Sequence, residues 1–124
     1  EIVLDTYKRA FEYRPTRAEP LYHLANYERL RGNYLGGYQA ALRGLNIPIS
    51  DDILFVDRWV YDWGLLLEFS VSAYWIEKYT EALLSSNLLL ANPSLPENVR
   101  ECVERNLTWI HMKIKEQQQS KVAI

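Results

Sequence analysis

Residues 51–79, DDILFVDRWVYDWGLLLEFSVSAYWIEKY, constrain the fold more than any other part of the chain. They hold three of the four tryptophans and no proline. As a strand the stretch is several times too long, since strands run roughly 3–10 residues; as a helix it makes sense. Its polar residues Asp57, Tyr61, Glu68 and Ser72 are spaced by four, seven and four. With Gly64 and Trp75 they fall on one stripe of a 3.6-residue period. The rest of the circumference is apolar, so this helix must be covered on most sides. The pattern predicts a central, buried helix with others packed around it, and Gly64 is where it would kink or break.

A chain of 124 residues makes one domain with room for a core. Hydrophobic residues at 48% and charged residues at 24% fit a globular protein. A net charge of −2, with Lys and Arg scattered along the chain, gives no electrostatic case for nucleic acid. The one cysteine, Cys102, rules out an internal disulfide framework. No apolar run approaches the ~20 residues of a membrane span. Glu1 starts inside an amphipathic pattern without a leader sequence. The expectation is therefore an excised piece of a longer, cytoplasmic protein that meets neither membrane nor nucleic acid.

Proline and glycine divide the remainder into helices. Ile2, Val3, Tyr7, Ala10 and Phe11 recur at helical spacing up to Pro15. Thr16 and Glu19 have the form of a capping box, with Pro20 in the first turn where its missing N–H costs little. The next helix carries Leu21, Leu24, Ala25, Tyr27 and Leu30 and stops at Gly32. Residues 34–47 form another, with Gly37, Ala40, Ala41 and Gly44 for close helix–helix approach, closed by Pro48. Ser50 and Asp51 are candidate N-caps of the long helix, and Lys78 marks a turn. Residues 79–91 form a helix that ends before Pro93, and Ser94 and Glu97 form a second capping box. Val99, Cys102, Val103, Leu107, Ile110 and Ile114 define the last helix. Residues 118–124 are expected to fray. No alternating strand pattern appears, and the fold class is all-α.

Residues 21–48 lie over residues 66–93 without a gap. Leu21 falls on Leu66, Leu24 on Phe69, Ala25 on Ser70, Tyr34 on Tyr79, Gly37 on Ala82, Ala41 on Ser86 and Pro48 on Pro93. This is the signature of a repeated helical hairpin, with large residues filling its seam and small ones letting backbones approach. The sequence resembles tetratricopeptide repeats, whose first helix carries a large–x–x–large–small run. A glycine and a tyrosine follow at the turn, then two small residues and a closing proline. Leu21, Leu24, Ala25, Gly32, Tyr34, Gly37, Gly44 and Pro48 fit that pattern; Leu66, Phe69, Ser70, Tyr79, Ala82 and Pro93 fit it again. Glu77 stands where the turn glycine is usual, and Leu89 where a small residue is usual. The resemblance implies a right-handed solenoid: the tail of one repeat (1–15), a repeat (18–48), a repeat with an extended first helix (51–93) and a capping helix (95–117). Residues 13–25 and 51–79 also resemble a helical-repeat segment that follows the catalytic domain of some bacterial and viral glycosyltransferases. That implies an appendage of a sugar-transferring enzyme, without chemistry of its own.

Candidate chemistry is sparse. His23 and His111 are far apart and no metal-ligand spacing occurs, so neither metal nor cofactor is expected. Cys102 lies on the core-facing side without a partner. Asn106-Leu107-Thr108 matches a glycosylation sequon within a helix, and residues 32–37 are glycine-rich without the lysine of a phosphate loop. Two groupings stand out. The first is the stripe of Asp57, Tyr61, Glu68 and Ser72, with Trp59, Asp62 and Trp63 beside it. A buried carboxylate is costly unless paired, so Glu68 and Asp57 are expected to bond tyrosine hydroxyls or Arg14, Arg17 or Arg43; the sharper alternative is a pair of carboxylates binding sugar hydroxyls or doing acid/base work. The second grouping follows from the resemblance, which puts Glu19, Tyr22, Asn26 and Arg29, then Leu67, Val71 and Tyr74, on the inner face of the array. Such a face recognises a peptide, is merely solvated, or docks on the parent catalytic domain. The sequence thus points to a non-catalytic interaction module; a self-associating scaffold is the alternative, and a ligand site on the Asp57–Glu68 stripe a third.

Overall fold

A computed structural model describes residues 18–48 and 58–122. Five α-helices follow one another: α1 (Glu19–Leu30), α2 (Tyr34–Leu45), α3 (Leu65–Trp75), α4 (Tyr79–Leu90) and α5 (Glu97–Val122). A π-helical turn, Val60–Gly64, leads directly into α3. There is no strand among the described residues. Each helix packs against the next in the chain, and α3 also lies against α1. No helix among the described residues is long and apolar enough to cross a membrane. The segments 1–17 and 49–57, and with them Asp57, Arg14, Arg17 and the first expected helix, fall outside the described residues.

The internal repeat is a physical one at its turns. Gly32 ends α1 at φ 86° and Glu77 follows α3 at φ 66°, two positions that the sequence overlay equates. The backbone bonds match as well. Asn33 N–H donates to Glu28 O (2.8 Å) and Lys78 N–H to Ala73 O (2.9 Å); Gly32 N–H donates to Arg29 O (3.0 Å) and Glu77 N–H to Tyr74 O (3.1 Å). Both turns are thus the left-handed helix stop that glycine favours. Glu77 bears the strain of that conformation, on the order of 1–2 kcal/mol for a residue with Cβ. Glu77→Gly is therefore expected to stabilise the fold by up to about 1 kcal/mol in urea denaturation, since glycine also loosens the unfolded chain. Gly32→Ala should cost about as much with no clash, since a Cβ there meets nothing within 4 Å. Equal stability of either variant and the parent would refute the matching of the two turns.

The seams repeat too. Ala25 and Ala41 are buried between α1 and α2; their counterparts Ser70 and Ser86 are buried between α3 and α4, with hydroxyls 2.9 Å apart. Small residues let the paired backbones approach, and the second hairpin adds a hydrogen bond. Other packing departs from expectation. Leu30, placed with the apolar residues of its helix, is 70% exposed because the last turn of α1 overhangs the seam. The second capping box does not form as anticipated, and the first includes Thr16, which lies outside the described residues. The described helix begins at Glu19 with Ala18 as its N-cap, and the Ala18 N–H donates to the Tyr61 hydroxyl (2.8 Å). Before α5, the Ser94 N–H donates to Asn92 Oδ1 (2.9 Å), while Arg100 donates to the carbonyls of Leu90 (2.9 Å) and Asn92 (3.0 Å) at the end of α4. These contacts before α5 stand in place of the local box. Helix α5 runs past the expected end at 117 to Val122, consistent with the high helix propensity of its Lys, Glu and Gln residues.

The long helix expected over 51–79 is helical from residue 58 to Trp75 and turns before Tyr79. It does not break at Gly64: a π-turn, Val60–Gly64, keeps it continuous into α3. A Cβ on Gly64 would sit 2.8 Å from the Trp59 indole and 3.2 Å from the Tyr22 ring. The glycine lets those two rings meet edge to face, 4.9 Å between centroids.

A second link joins the hairpins. The Tyr38 hydroxyl on α2 donates to a Glu81 carboxylate oxygen on α4, its ring stacks on Phe69, and Lys78 lies over the ring. The hydrogen bond to Glu81, then burial, then the negative charge of Glu81 push the Tyr38 phenol up to about 12. A folded-state value above the unfolded one of about 10 means that the neutral phenol stabilises the fold. This contribution is complete below about pH 10 and is lost as pH rises through about 12. The stability difference between the parent and Tyr38→Phe is expected to stay constant to about pH 10 and shrink above it. A pH-independent difference in urea titrations would contradict the assignment.

Candidate functional site

The polar stripe of α3 faces inward, onto the first hairpin. Glu68, only 2% exposed, accepts hydrogen bonds from Arg29 Nε (2.6 Å), Arg29 Nη2 (3.1 Å) and Asn26 Nδ2 (2.9 Å). The buried carboxylate is therefore paired, but by Arg29; Arg43, one of the arginines expected to serve, is exposed on α2. Next along the stripe, the Ser72 hydroxyl is buried without a hydrogen bond. It lies where Gly37 has no side chain: a Cβ on Gly37 would come within 2.8 Å of Ser72 Oγ. Gly64 faces Tyr22, and Tyr61 caps α1. Burial, and after it the charge of Glu68, hold the Tyr22 phenol above its ordinary value. The hydrogen bonds to Glu68 raise the Arg29 guanidinium further, so it stays charged.

The two groupings distinguished in the sequence thus meet. Asn26 and Arg29, expected to face a partner, direct their polar groups at Glu68, and Tyr22 packs on Trp59 beside them. With three donors and almost no solvent, the Glu68 carboxylate anchors α3 to α1. The aromatic extension joins the same seam. Trp59 and Trp63 lie 5.2 Å apart between centroids, and Trp63 packs against the cluster of Leu89, Leu95 and Val103. Asp62 is exposed; its carboxylate pairs with Arg58 (3.6 Å) and its carbonyl accepts from Asn92 (3.1 Å). Glu19 sits half-buried at the start of α1. Leu67, assigned to the open face, packs instead with the Leu89 cluster.

An open site lies between α3 and α5. A groove of about 330 Å³ is lined by Ser70, Val71, Tyr74 and Trp75 from α3 and by Asn106, Trp109 and Ile110 from α5. Val71 and Tyr74 belong to the face expected from the sequence. Trp75 is 55% exposed and Trp109 51%. Tyr34 stacks behind Trp75 (5.1 Å, 18° between planes) and Tyr74 abuts it edge-on (5.3 Å), which fixes one wall. The seats of α3 and α5 on their preceding helices differ. Helix α3 lays Leu65 into the notch at Gly44, where a Cβ would come within 2.5 Å of Leu65 Cδ2. The overlay puts Leu89 at the equivalent point of α4, so that notch is filled, and α5 packs on α4 through Leu89, Leu95 and Val103. Of the rest of the lining, Trp75 was expected on the polar stripe, Ser70 in the seam and Ile110 in the core, and Asn106 and Trp109 were not expected at an open face. The signal was Trp109, a large aromatic off the apolar stripe of an otherwise polar helix face.

The remaining candidates are plain. His23 and His111 are exposed, and Cys102 is half-buried rather than core-facing, with the Asn106 amide 3.8 Å from its sulfur. Among the described residues no three His, Cys, Asp or Glu side chains converge as metal ligands would. No protein-family model, curated protein or solved structure matches the chain.

Proposed function

We propose that this chain is a helical-repeat interaction module, similar to tetratricopeptide repeats, that binds a peptide segment of a protein partner in the groove between α3 and α5. The observation that carries the reading is the pair of half-exposed tryptophans, Trp75 and Trp109, facing one groove beside Tyr74 and Asn106. Large apolar rings left in water at a concave site are costly unless a partner covers them, and Trp and Tyr dominate binding energy at interfaces. The matched turns at Gly32 and Glu77 and the matched seams support the repeat reading. The resemblance of residues 13–25 and 51–79 to segments behind glycosyltransferase catalytic domains supports a place in such an enzyme. A nucleotide-sugar domain with an Asp-x-Asp motif upstream of Glu1 would fit that context.

Selection of displayed peptides on the immobilised chain, with Trp109→Ala as counter-selection, tests the binding role. Enriched peptides are expected to change tryptophan fluorescence and to bind Trp109→Ala at least tenfold more weakly. A selection that enriches nothing, or only peptides indifferent to Trp109, would refute it.

A further inference from the structure

The lining of the α3–α5 groove narrows the chemistry of its ligand. Three aromatic rings, Tyr74, Trp75 and Trp109, stand around it with one amide, Asn106, and no charged residue. Neither indole N–H, nor the Tyr74 hydroxyl, has a hydrogen-bond partner among the described residues, whereas the Asn106 amide nitrogen is turned toward the Cys102 sulfur. The lining thus brings together aromatic rings, whose faces carry negative partial charge, and donors without a partner among the described residues, with few acceptors, since the Ser70 hydroxyl is bonded to Ser86.

Three ligand classes can be weighed against that pattern. An ammonium or guanidinium group suits the ring faces, but no carboxylate lines the groove to offset its desolvation, since Glu68 is committed to Arg29 and Asn26. A sugar stacks on indole rings, and its hydroxyls can accept from the donors present, but each must also donate, and the groove supplies few acceptors for that half beyond Asn106 Oδ1. A proline-containing segment matches on both counts. Its ring C–H groups carry positive partial charge and pack on aromatic faces. Its backbone has carbonyls free to accept and lacks an N–H at each proline. A polyproline II helix makes no internal hydrogen bonds, so those carbonyls are available without unfolding anything. The volume, about 330 Å³, lies at the small end of binding sites of about 300–1,000 Å³, enough for a short stretch of such a helix.

We infer that the α3–α5 groove binds a proline-rich segment in the polyproline II conformation, its rings stacked on Trp75 and Trp109 and its carbonyls accepting from the indole and Tyr74 donors. This rests on the interaction-module reading and adds the chemistry of the partner. The test is titration of the whole chain, followed by tryptophan fluorescence and calorimetry, with three probes: an oligoproline peptide, a proline-free Gly/Ser/Ala peptide of equal length, and a soluble oligosaccharide. Trp75→Ala, Trp109→Ala and Trp109→Phe are titrated in parallel after circular dichroism shows that they are folded. The expected result is saturable binding of oligoproline alone, weakened at least tenfold in either alanine variant. Trp109→Phe, which keeps a ring and loses the donor, should weaken it several-fold.

Equal binding of the proline-free peptide, or preference for the oligosaccharide, overturns the assignment. So does oligoproline binding indifferent to Trp75 and Trp109, or full affinity in Trp109→Phe. If oligoproline fails while peptides selected through Trp109 bind, the proline assignment falls and the interaction module stands. If both fail, both fall.

Discussion

Replacing Arg29 with leucine is expected to cost about 3 kcal/mol of folding free energy, among the largest effects of any single change near the polar seam. The carboxylate of Glu68 would keep its burial and lose two of its three hydrogen bonds, from Arg29 Nε and Nη2. Removal of one partner from a buried ion pair typically costs about 3–5 kcal/mol, because the remaining charge is left uncompensated. The lower end applies to this pair, since the Arg29 side chain retains 27% exposure and Asn26 still donates. The sign reverses when both charges go. The double variant Arg29→Leu/Glu68→Leu removes the uncompensated charge and is expected to be markedly more stable than Arg29→Leu alone. Urea denaturation of the four proteins yields the coupling energy directly. A single-variant cost under about 1 kcal/mol, or a double variant weaker than both singles, would mean that the pair does not anchor α3 to α1.

The second large effect separates two positions that the repeat makes equivalent. Leu89→Ala is expected to lose about 2–5 kcal/mol, the usual range for truncation of a fully buried leucine. Leu89 is 1% exposed and joins Leu95 and Val103 in the cluster that holds α5 to α4. At the corresponding point of α2, Gly44→Leu is expected to cost about 3 kcal/mol for the opposite reason, overpacking. The first added carbon would already lie 2.5 Å from Leu65 Cδ2, 3.2 Å from Leu65 Cδ1 and 3.4 Å from Leu21 Cβ. Leu65 and Leu21 are both buried and cannot swing aside, so further carbons would force strain or displace α3. Tolerance of leucine at position 44, or of alanine at 89, would show that the two notches are alike. The difference in seating between α3 and α5 would then have no physical cause.

How far these features can be read in advance depends on the range of the interaction. Helix periods, proline stops and the left-handed turn at Gly32 are written in neighbouring residues, because 3.6-residue geometry and backbone sterics act locally. The overlay of 21–48 on 66–93 reached further: it equated Glu77 with Gly32, and the two share positive φ values of 66° and 86°. The stripe on α3 was legible as a stripe, but its direction was not. Pairing of Glu68 was expected, but not the side on which its partner lies; the stripe of Tyr61, Glu68 and Ser72 turns out to face α1 and α2. What turned it inward was a match thirty-nine residues away, Arg29 with Glu68, which no local pattern encodes. The Ser94–Glu97 capping box failed for a related reason: Asn92 accepts from the Ser94 N–H, and Arg100 supplies donors from the next helix to the end of α4. At the start of α1, Tyr61 likewise supplies an acceptor for the Ala18 N–H from another element.

Residues 51–79 show both sides of that division. Period and side-chain chemistry alone predict a helix too apolar to stand in water, a weak point at Gly64 and a partner for any charge on it. The tertiary structure settled that the helix described over 58–75 passes through Gly64 as a π-turn, that Trp59 closes over Gly64 onto Tyr22, and that Glu68 holds α1. It alone also decided that Trp75 is left facing Trp109 across a groove. The physical reason is that burial depends on which helices come to lie together, and in this chain that was set by the fit of single side chains into notches. Gly44 admits Leu65, whereas Leu89 fills the equivalent point and packs against Val103 of α5.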